Sequence, residues 1–259
     1  MKQDASKSAA PSGFEARWRE RFQRFGTAHD DDASIAGWSS SGLDARYRNF
    51  CRVWAGALAG SVWVDAGCGA GTYARRLAQE GLDVLGLDYS YPTLRKARER
   101  SPAITAWAAA DVTRLPLRSA SADGLLCFGV MQALGSAEAA AREIARVIKP
   151  GGEVWIDALN ADCIPDALKL LLQRLRGLPP HLRYDHPDEL IEALRRSGFS
   201  DVRVHWVPIM PGRLSAFQGF VESAPMRALL HALPLLGKWM SHAFVLQGRR
   251  TSPKHGSEG

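Results

Sequence analysis

S-V-W-V-D-A-G-C-G-A-G-T-Y-A-R, running from Ser61 to Arg75, is the segment around which the chain is organised. The β-branched and aromatic run Val62, Trp63, Val64 reads as a buried strand that ends on Asp65. Gly67, Gly69 and Gly71 follow at alternate positions, and Tyr73, Ala74, Arg75 and Leu77 begin a helical pattern. Strand, glycine turn and helix N-terminus together make a seat for a ligand. Backbone without Cβ atoms permits close approach, and the first N–H groups of a helix point outward. A nucleotide-like ligand above the turn is the inference at this point, with its identity open.

Working outward, strand and helix patterns alternate. Strands are expected at Val84–Asp88, Ile104–Ala108, Gly124–Phe128, Glu153–Ala158, Val202–Val207 and Ala243–Gln247. Helices are expected at Thr72–Glu80, Pro92–Arg100, Ala137–Ile148 and Leu190–Ser197. Such alternation argues an α/β, doubly wound, mostly parallel sheet with right-handed crossovers. Upstream, Phe14–Phe25 is rich in Arg and aromatics and reads as helix. Asp30–Asp32 and Gly37–Gly42 break the pattern, and Leu43–Leu58 resumes it with Tyr47, Phe50, Val53, Trp54 and Ala57 at helical spacing. Downstream, Asp162–Arg176 is amphipathic, with Leu168, Leu171, Leu172 and Leu175 on one face, and Pro179-Pro180 ends it. His186-Pro187-Asp188-Glu189 opens the next helix, with Pro and acids in its first turn. The domain plan is a tail at 1–13, one domain at 14–250 and a tail at 251–259. Within the domain, 14–60 forms a helical cap and 208–241 a helical insertion between the last two strands.

A chain of 259 residues can bury one large core, and 46% hydrophobic with 23% charged residues is ordinary for a globular protein. The net charge of +6 and a pI near 9.3 permit attraction to nucleic acid or anionic lipid without establishing either. No charge-free apolar run reaches the roughly 20 residues a membrane span needs. The N-terminus lacks the apolar core of a secretory signal, so a cytoplasmic location is expected. Cys51, Cys68, Cys127 and Cys163 stand far apart and read as reduced thiols. The histidines show no H-x-H or H-E-x-x-H spacing, so no metal site is expected.

Two cofactor classes use an acid after the second strand to hold ribose hydroxyls, and here that acid is Asp88 in L-G-L-D-Y-S. A dinucleotide turn is G-x-G-x-x-G, whereas this chain has Thr72 where the third glycine belongs. Asp65 also suits a cationic amino group better than a pyrophosphate, which it would repel. D-A-G-C-G-A-G-T resembles the first motif of class I S-adenosylmethionine-dependent methyltransferases, and Asp88 resembles their second. A-A-D-V-T-R-L-P-L is similar to their adenine-binding segment, S-A-D-G-L-L-C-F-G-V to their fourth strand, and R-V-I-K-P-G-G-E-V-W-I to the loop and fifth strand of the small-molecule and quinone subfamily.

The resemblance covers Leu43 to Phe199 and implies a Rossmann-like, seven-stranded sheet with helices on both faces and an antiparallel last strand. It implies S-adenosylmethionine as cofactor. Asp65 would accept from water or the methionine amino group, with Gly67 and Gly69 backbone against the methionine moiety. Asp88 would take the ribose hydroxyls, Tyr89 would pack on the adenine, Asp111 and the Val112 amide would read the adenine edge, and Gly129 would lie near the sulfonium. Structural readings stand beside these: Asp65 as a helix cap, Asp111 as a turn residue, Tyr89 as simple packing.

The expected activity is methyl transfer to a small or lipid-like metabolite. A tailoring O-methyltransferase of a saccharide or secondary metabolite is the second choice, and an RNA methylase or RNA-binding protein is the rival from another class. Phe128-Gly129-Val130-Met131 replaces the [DNS]-P-P-[YFW] of base-amine methylases, and Arg is scattered rather than clustered, so nucleic acid is disfavoured. Gln132 stands where the small-molecule subfamily often has Glu or His, which leaves a general base unassigned. His181 and Tyr184 are the catalytic candidates, with His186 read as a helix-start residue. The 208–241 insertion and the aromatic helix of Tyr47, Phe50 and Trp54 are expected to close an apolar pocket. Peripheral membrane contact is compatible with the sequence, and the oligomeric state is open.

Overall fold

The computed structural model describes residues 13–104, 106–178, 182–210 and 212–252. The tails at 1–12 and 253–259, the Pro179-Pro180 break and His181 lie outside them. In chain order the elements are α1 (Gly13–Ala28), α2 (Asp32–Ala36), α3 (Ser40–Val53), β1 (Val62–Ala66), α4 (Thr72–Gln79), β2 (Asp83–Asp88), α5 (Tyr91–Arg100), β3 (Ala106–Ala109) and β4 (Ala122–Cys127). They continue with α6 (Ala137–Val147), β5 (Ile148–Leu159), α7 (Ile164–Leu175), α8 (Pro187–Arg196), β6 (Phe199–Val207), α9 (Gln218–Val221), α10 (Ala224–Ala232), α11 (Pro234–Met240) and β7 (Ala243–Arg250).

The strands form one sheet in the order β3-β2-β1-β4-β5-β7-β6. Pairing is parallel from β3 through β5, and β7 runs antiparallel to both β5 and β6. The order reverses at β1, so the carboxyl ends of β1 and β4 flank the crevice where ligands of doubly wound sheets sit.

The period of two along each strand sorts side chains onto two cores. Val64, Leu125 and Ile156 face a core closed by Ile144 of α6 and Leu194 of α8, while Trp63, Leu126 and Trp155 face the other. That second core is aromatic. Phe50 of α3 stacks on Trp54 at 5.4 Å and meets the rings of Tyr73, Phe128 and Trp155 edge-on at 5.8, 5.6 and 5.5 Å.

The expected Leu43–Leu58 helix is shifted. Ser39 caps α3 by accepting the Gly42 N–H at 3.1 Å, and the chain leaves the helix at Trp54, whose ring turns inward onto Trp63. β5 begins at Ile148, five residues before the expected start, because Ile148 already pairs with Ala122 across a bulge. β6 likewise starts at Phe199 instead of Val202, with a bulge before Arg203.

α1 to α3 are pinned to the domain by charge. Asp32 pairs with Arg75 of α4 and with Arg100 of α5 at 2.9 Å, and Asp30 pairs with Lys96 at 2.9 Å. The insertion behaves differently: from α9 to α11 only Gln218, Leu230 and Gly237 are buried.

Candidate functional site

Asp65, at the carboxyl end of β1, lies under the glycine turn and is 1% exposed. Its Oδ2 has no hydrogen-bond partner among the described residues. Burial, opposed by the Ala74 N–H and reinforced by the Asp88 charge, pushes its carboxyl up to about 7. Above it, Gly67 and Cys68 donate to the Leu87 carbonyl at 2.7 and 2.9 Å, which fixes the turn against β2. Gly67 (φ +85°) has no room for a Cβ, which would fall 2.1 Å from Val130 Cγ2. Gly69 (φ +52°) is the opposite case: a Cβ there would enter open space, so its bare backbone faces the cleft.

Asp88 ends β2 and accepts the Gly69 N–H at 2.9 Å and the Ser90 N–H at 2.7 Å; burial raises its pKa against those bonds. Asp111 accepts the Thr113 N–H at 2.9 Å and the Thr113 hydroxyl at 2.7 Å on Oδ1, and Arg19 pairs with Oδ2. Burial raises the Asp111 pKa, but those hydrogen bonds and the Arg19 charge bring it below the usual carboxylate range. The same guanidinium lies over the Tyr89 ring, 4.6 Å from its centroid.

On the far side, the Gly129 N–H donates to Asp157 Oδ1 at 2.6 Å. Asp157 in turn pairs with Arg46 at 3.0 Å in a fully buried contact, and Arg46 lies 4.3 Å from the Trp38 ring centroid. This assembly braces the backbone after β4 and would be costly to break from one side only.

One cleft joins these parts. Gly67, Gly69, Asp88, Tyr89, Asp111, Val112 and Gly129 all line it, while Asp65 sits beneath. Tyr184 does not: it is half-buried elsewhere, edge-on to His242 at 6.4 Å, and burial pushes its phenol up to about 12. His186 begins α8 and bonds Asp162 at 2.8 Å.

The sequence reading missed the other wall. Trp18, Arg19 and Phe22 of α1 and Ile35 of α2 line the cleft as closely as the glycine turn does. Their stretch was legible as an Arg-rich aromatic helix, but nothing in it says what it covers. Asp157 was more visible, as a lone acid inside the apolar strand V-W-I-D-A-L.

The residues present fit S-adenosylmethionine. Asp65 offers a buried acceptor that lacks a partner, Gly69 presents bare backbone to open space, and Asp88 ends the strand beside it. Residues 64–156 match the family described as the methyltransferase domain. A malonyl-[acyl-carrier protein] O-methyltransferase of Enterobacter lignolyticus is 35% identical over 40% of this chain and 41% of its own. A ubiquinone biosynthesis O-methyltransferase of Idiomarina loihiensis is 26% identical over 64% of this chain and 70% of its own. Several curated relatives are thus matched over less than half their own length. Among solved structures, the phosphoethanolamine N-methyltransferase 2 of Haemonchus contortus in complex with S-adenosyl-L-methionine superposes with a TM-score of 0.62. It is 18% identical and is matched over 89% of this chain and 60% of its own, which speaks for the fold. The sheet order and the glycine turn define a Rossmann-like fold, and its residues 64–156 match the methyltransferase domain family. The residues of the cleft fit S-adenosylmethionine.

Proposed function

We propose that the protein transfers the methyl group of S-adenosylmethionine to a small or lipid-like acceptor. The observation that carries this reading is the single cleft in which the glycine turn, Asp88 and Asp111 meet the apolar wall of Trp18, Phe22, Ile35, Val130 and Leu134. The cofactor supplies an activated methyl group on a sulfonium, whose departure needs no proton. The chain's own residues then mainly bind, orient and exclude water.

In this reading Asp65 takes the methionine amino group, with Gly67 and Gly69 against the methionine moiety. Asp88 holds the ribose, Tyr89 packs on the adenine, and Asp111 and Val112 read its edge. Gly129, braced by Asp157, borders the transfer point. His181 is the proposed acceptor-side group. Tyr184, proposed beside it from the sequence, stands outside the cleft and keeps its proton at neutral pH, so it does not act as a base in this reading. The ubiquinone-related name of one relative supports an apolar acceptor. No described helix is long and apolar enough to cross a membrane.

Calorimetry with S-adenosylmethionine and with NADH tests the cofactor half of the reading. Wild type is expected to bind the former, and Asp88→Ala to weaken it about 100-fold; binding of NADH alone sinks it. Label transfer from methyl-labelled cofactor into hydroxylated aromatic lipids tests the acceptor half. Transfer into RNA but into no lipid or small molecule would replace it with the nucleic-acid reading.

A further inference from the structure

α7 is turned inside out. Its stripe of Ile164, Leu168, Leu171, Leu172 and Leu175 is 47–76% exposed, and no residue of the helix is fully buried. Its better-covered positions are Asp166, Leu170 and Gln173, on the opposite side. An isolated exposed leucine needs no explanation, but a complete helical stripe facing water does.

The stripe does not stand alone. α7 packs against α11, α11 against α10, and α10 against α9. These neighbours expose Phe217, Phe220, Leu235, Trp239 and Met240, between 46% and 63%. The two terminal segments outside the described residues, M-K-Q-D-A-S-K-S-A-A-P-S and P-K-H-G-S-E-G, hold no large apolar residue except Met1.

Charge selects the occupant. Residues 164–178 carry Lys169, Arg174 and Arg176 against Asp166, and 212–240 carry Arg213, Arg227 and Lys238 against Glu222. Both acids are engaged elsewhere or within: Asp166 with His242 at 2.6 Å, Glu222 with Arg48 at 2.8 Å and Arg52 at 3.3 Å. The helical wheel places Lys169 and Arg176 on one flank of the α7 stripe and Arg174 on the other. Lys238 is itself paired with Asp188 at 2.7 Å and Asp162 at 3.3 Å, so the charge of this face rests on the other cations. Apolar side chains bordered by such cations match the boundary between acyl chains and anionic headgroups. A second copy of this chain would bring the same cations face to face. RNA would neutralise them and leave the leucines in water.

The geometry points to α7 together with α9–α11 as a surface that docks on an anionic phospholipid leaflet, lying in its interface. The surface stands at the carboxyl end of β5, where Asn160 ties the α11–β7 turn by donating to the Lys238 and Ser241 carbonyls at 2.6 and 2.8 Å. That is the sheet edge on which the cleft opens. The inference goes beyond the methyl-transfer reading and does not require it.

The test is flotation of the full chain with vesicles of phosphatidylglycerol and phosphatidylcholine, against vesicles of phosphatidylcholine alone. Wild type is expected to float with the anionic vesicles. Its bound fraction should fall at least five-fold when the salt is raised or the charged lipid omitted. Leu171→Glu with Leu175→Glu should lower binding at least ten-fold, and Lys169→Glu with Arg174→Glu and Arg176→Glu at least five-fold. The wild-type salt and lipid dependence decides the matter by itself if a variant does not fold, and circular dichroism with a thermal melt reports whether it has. Wild type that stays with the bottom fraction overturns the proposal, as does a Leu171→Glu, Leu175→Glu variant that folds and floats like wild type. A dimer in sedimentation that the same variant dissociates overturns it in favour of a second copy. Binding of RNA, lost in the charge-reversed variant and kept in the leucine variant, overturns it in favour of nucleic acid.

Discussion

The N-terminal cap, α1 to α3, and the late helices, α7 with α9 to α11, are built from similar material and do opposite things with it. Both mix arginine with aromatic and aliphatic residues at helical spacing. In the cap, Trp18, Ile35, Phe50 and Trp54 are buried, Arg19 is paired to Asp111 in the turn after β3, and Arg46 to Asp157 of β5. In the late helices, Leu171, Leu175, Phe220 and Trp239 face outward, and most of the cations have no carboxylate to meet. Amphipathic periodicity therefore reports that a helix has a face, but not what the face meets. The partner is decided by what lies opposite in space: strand-end acids and the β4–β5 aromatics for the cap, solvent for the rest.

The largest contrast should be in stability. Phe50→Ala removes the ring at the centre of four aromatic contacts and is expected to cost about 3–5 kcal/mol, whereas Leu171→Ala should stay within about 0.5 kcal/mol. Urea unfolding of both variants checks this; equal losses would mean that α7 is packed after all.

The next effect lies beneath the cap, at Asp65. Its folded pKa of about 7 stands above the usual value of about 3.9, so the native state holds the extra proton between those values. Stability without cofactor from this group is therefore full at low pH and is lost as pH rises from about 4 through about 7. A cationic amino group favours the carboxylate, so cofactor affinity should rise roughly ten-fold between pH 6 and pH 8. Calorimetry over that range should show the rise in wild type and a flat profile in Asp65→Asn. A matching slope in the variant would assign the proton elsewhere.

The smallest effect concerns the grip of the cap on the cleft. The Arg19–Asp111 pair is about one-quarter exposed on each side, and a pair of that kind is worth about 1 kcal/mol. Arg19→Ala should speed amide exchange in residues 13–28 about five-fold and leave α10 unchanged. Unaltered exchange in α1 would show that the hydrophobic contacts of Trp18 and Phe22 hold the cap unaided.

The sheet was readable because its signals are local. Val62–Asp65 and Glu153–Ala158 alternate with amphipathic helices, and the glycines and Asp88 that end the first strands stand where a doubly wound sheet puts its ligand. Asp88, the last residue of β2, and Asp111, two residues past β3, were readable for the same reason. What lines the cleft from above was not. Arg19 reaches Asp111 across 92 residues, and the Arg46–Asp157 pair spans 111, so no window of sequence contains either contact. The direction of the α7 stripe was hidden in the same way. Leu168, Leu171 and Leu175 show one face, and only the assembled fold shows that Asp166 and Gln173 take the inner side.

The place of β7 has a consequence for how the molecule is made. β7 lies between β5 and β6 and is the neighbour of both, yet its residues, Ala243–Arg250, follow all the others of the sheet. While the ribosome adds about 5–20 residues per second, β5 and β6 wait with unpaired edges, and the fully buried Phe244 and Leu246 have yet to arrive. The parallel half can assemble during translation, but the sheet closes only after this strand emerges. Until then the edge of β5 is a site where a nascent chain can be captured by a chaperone or by another copy of itself.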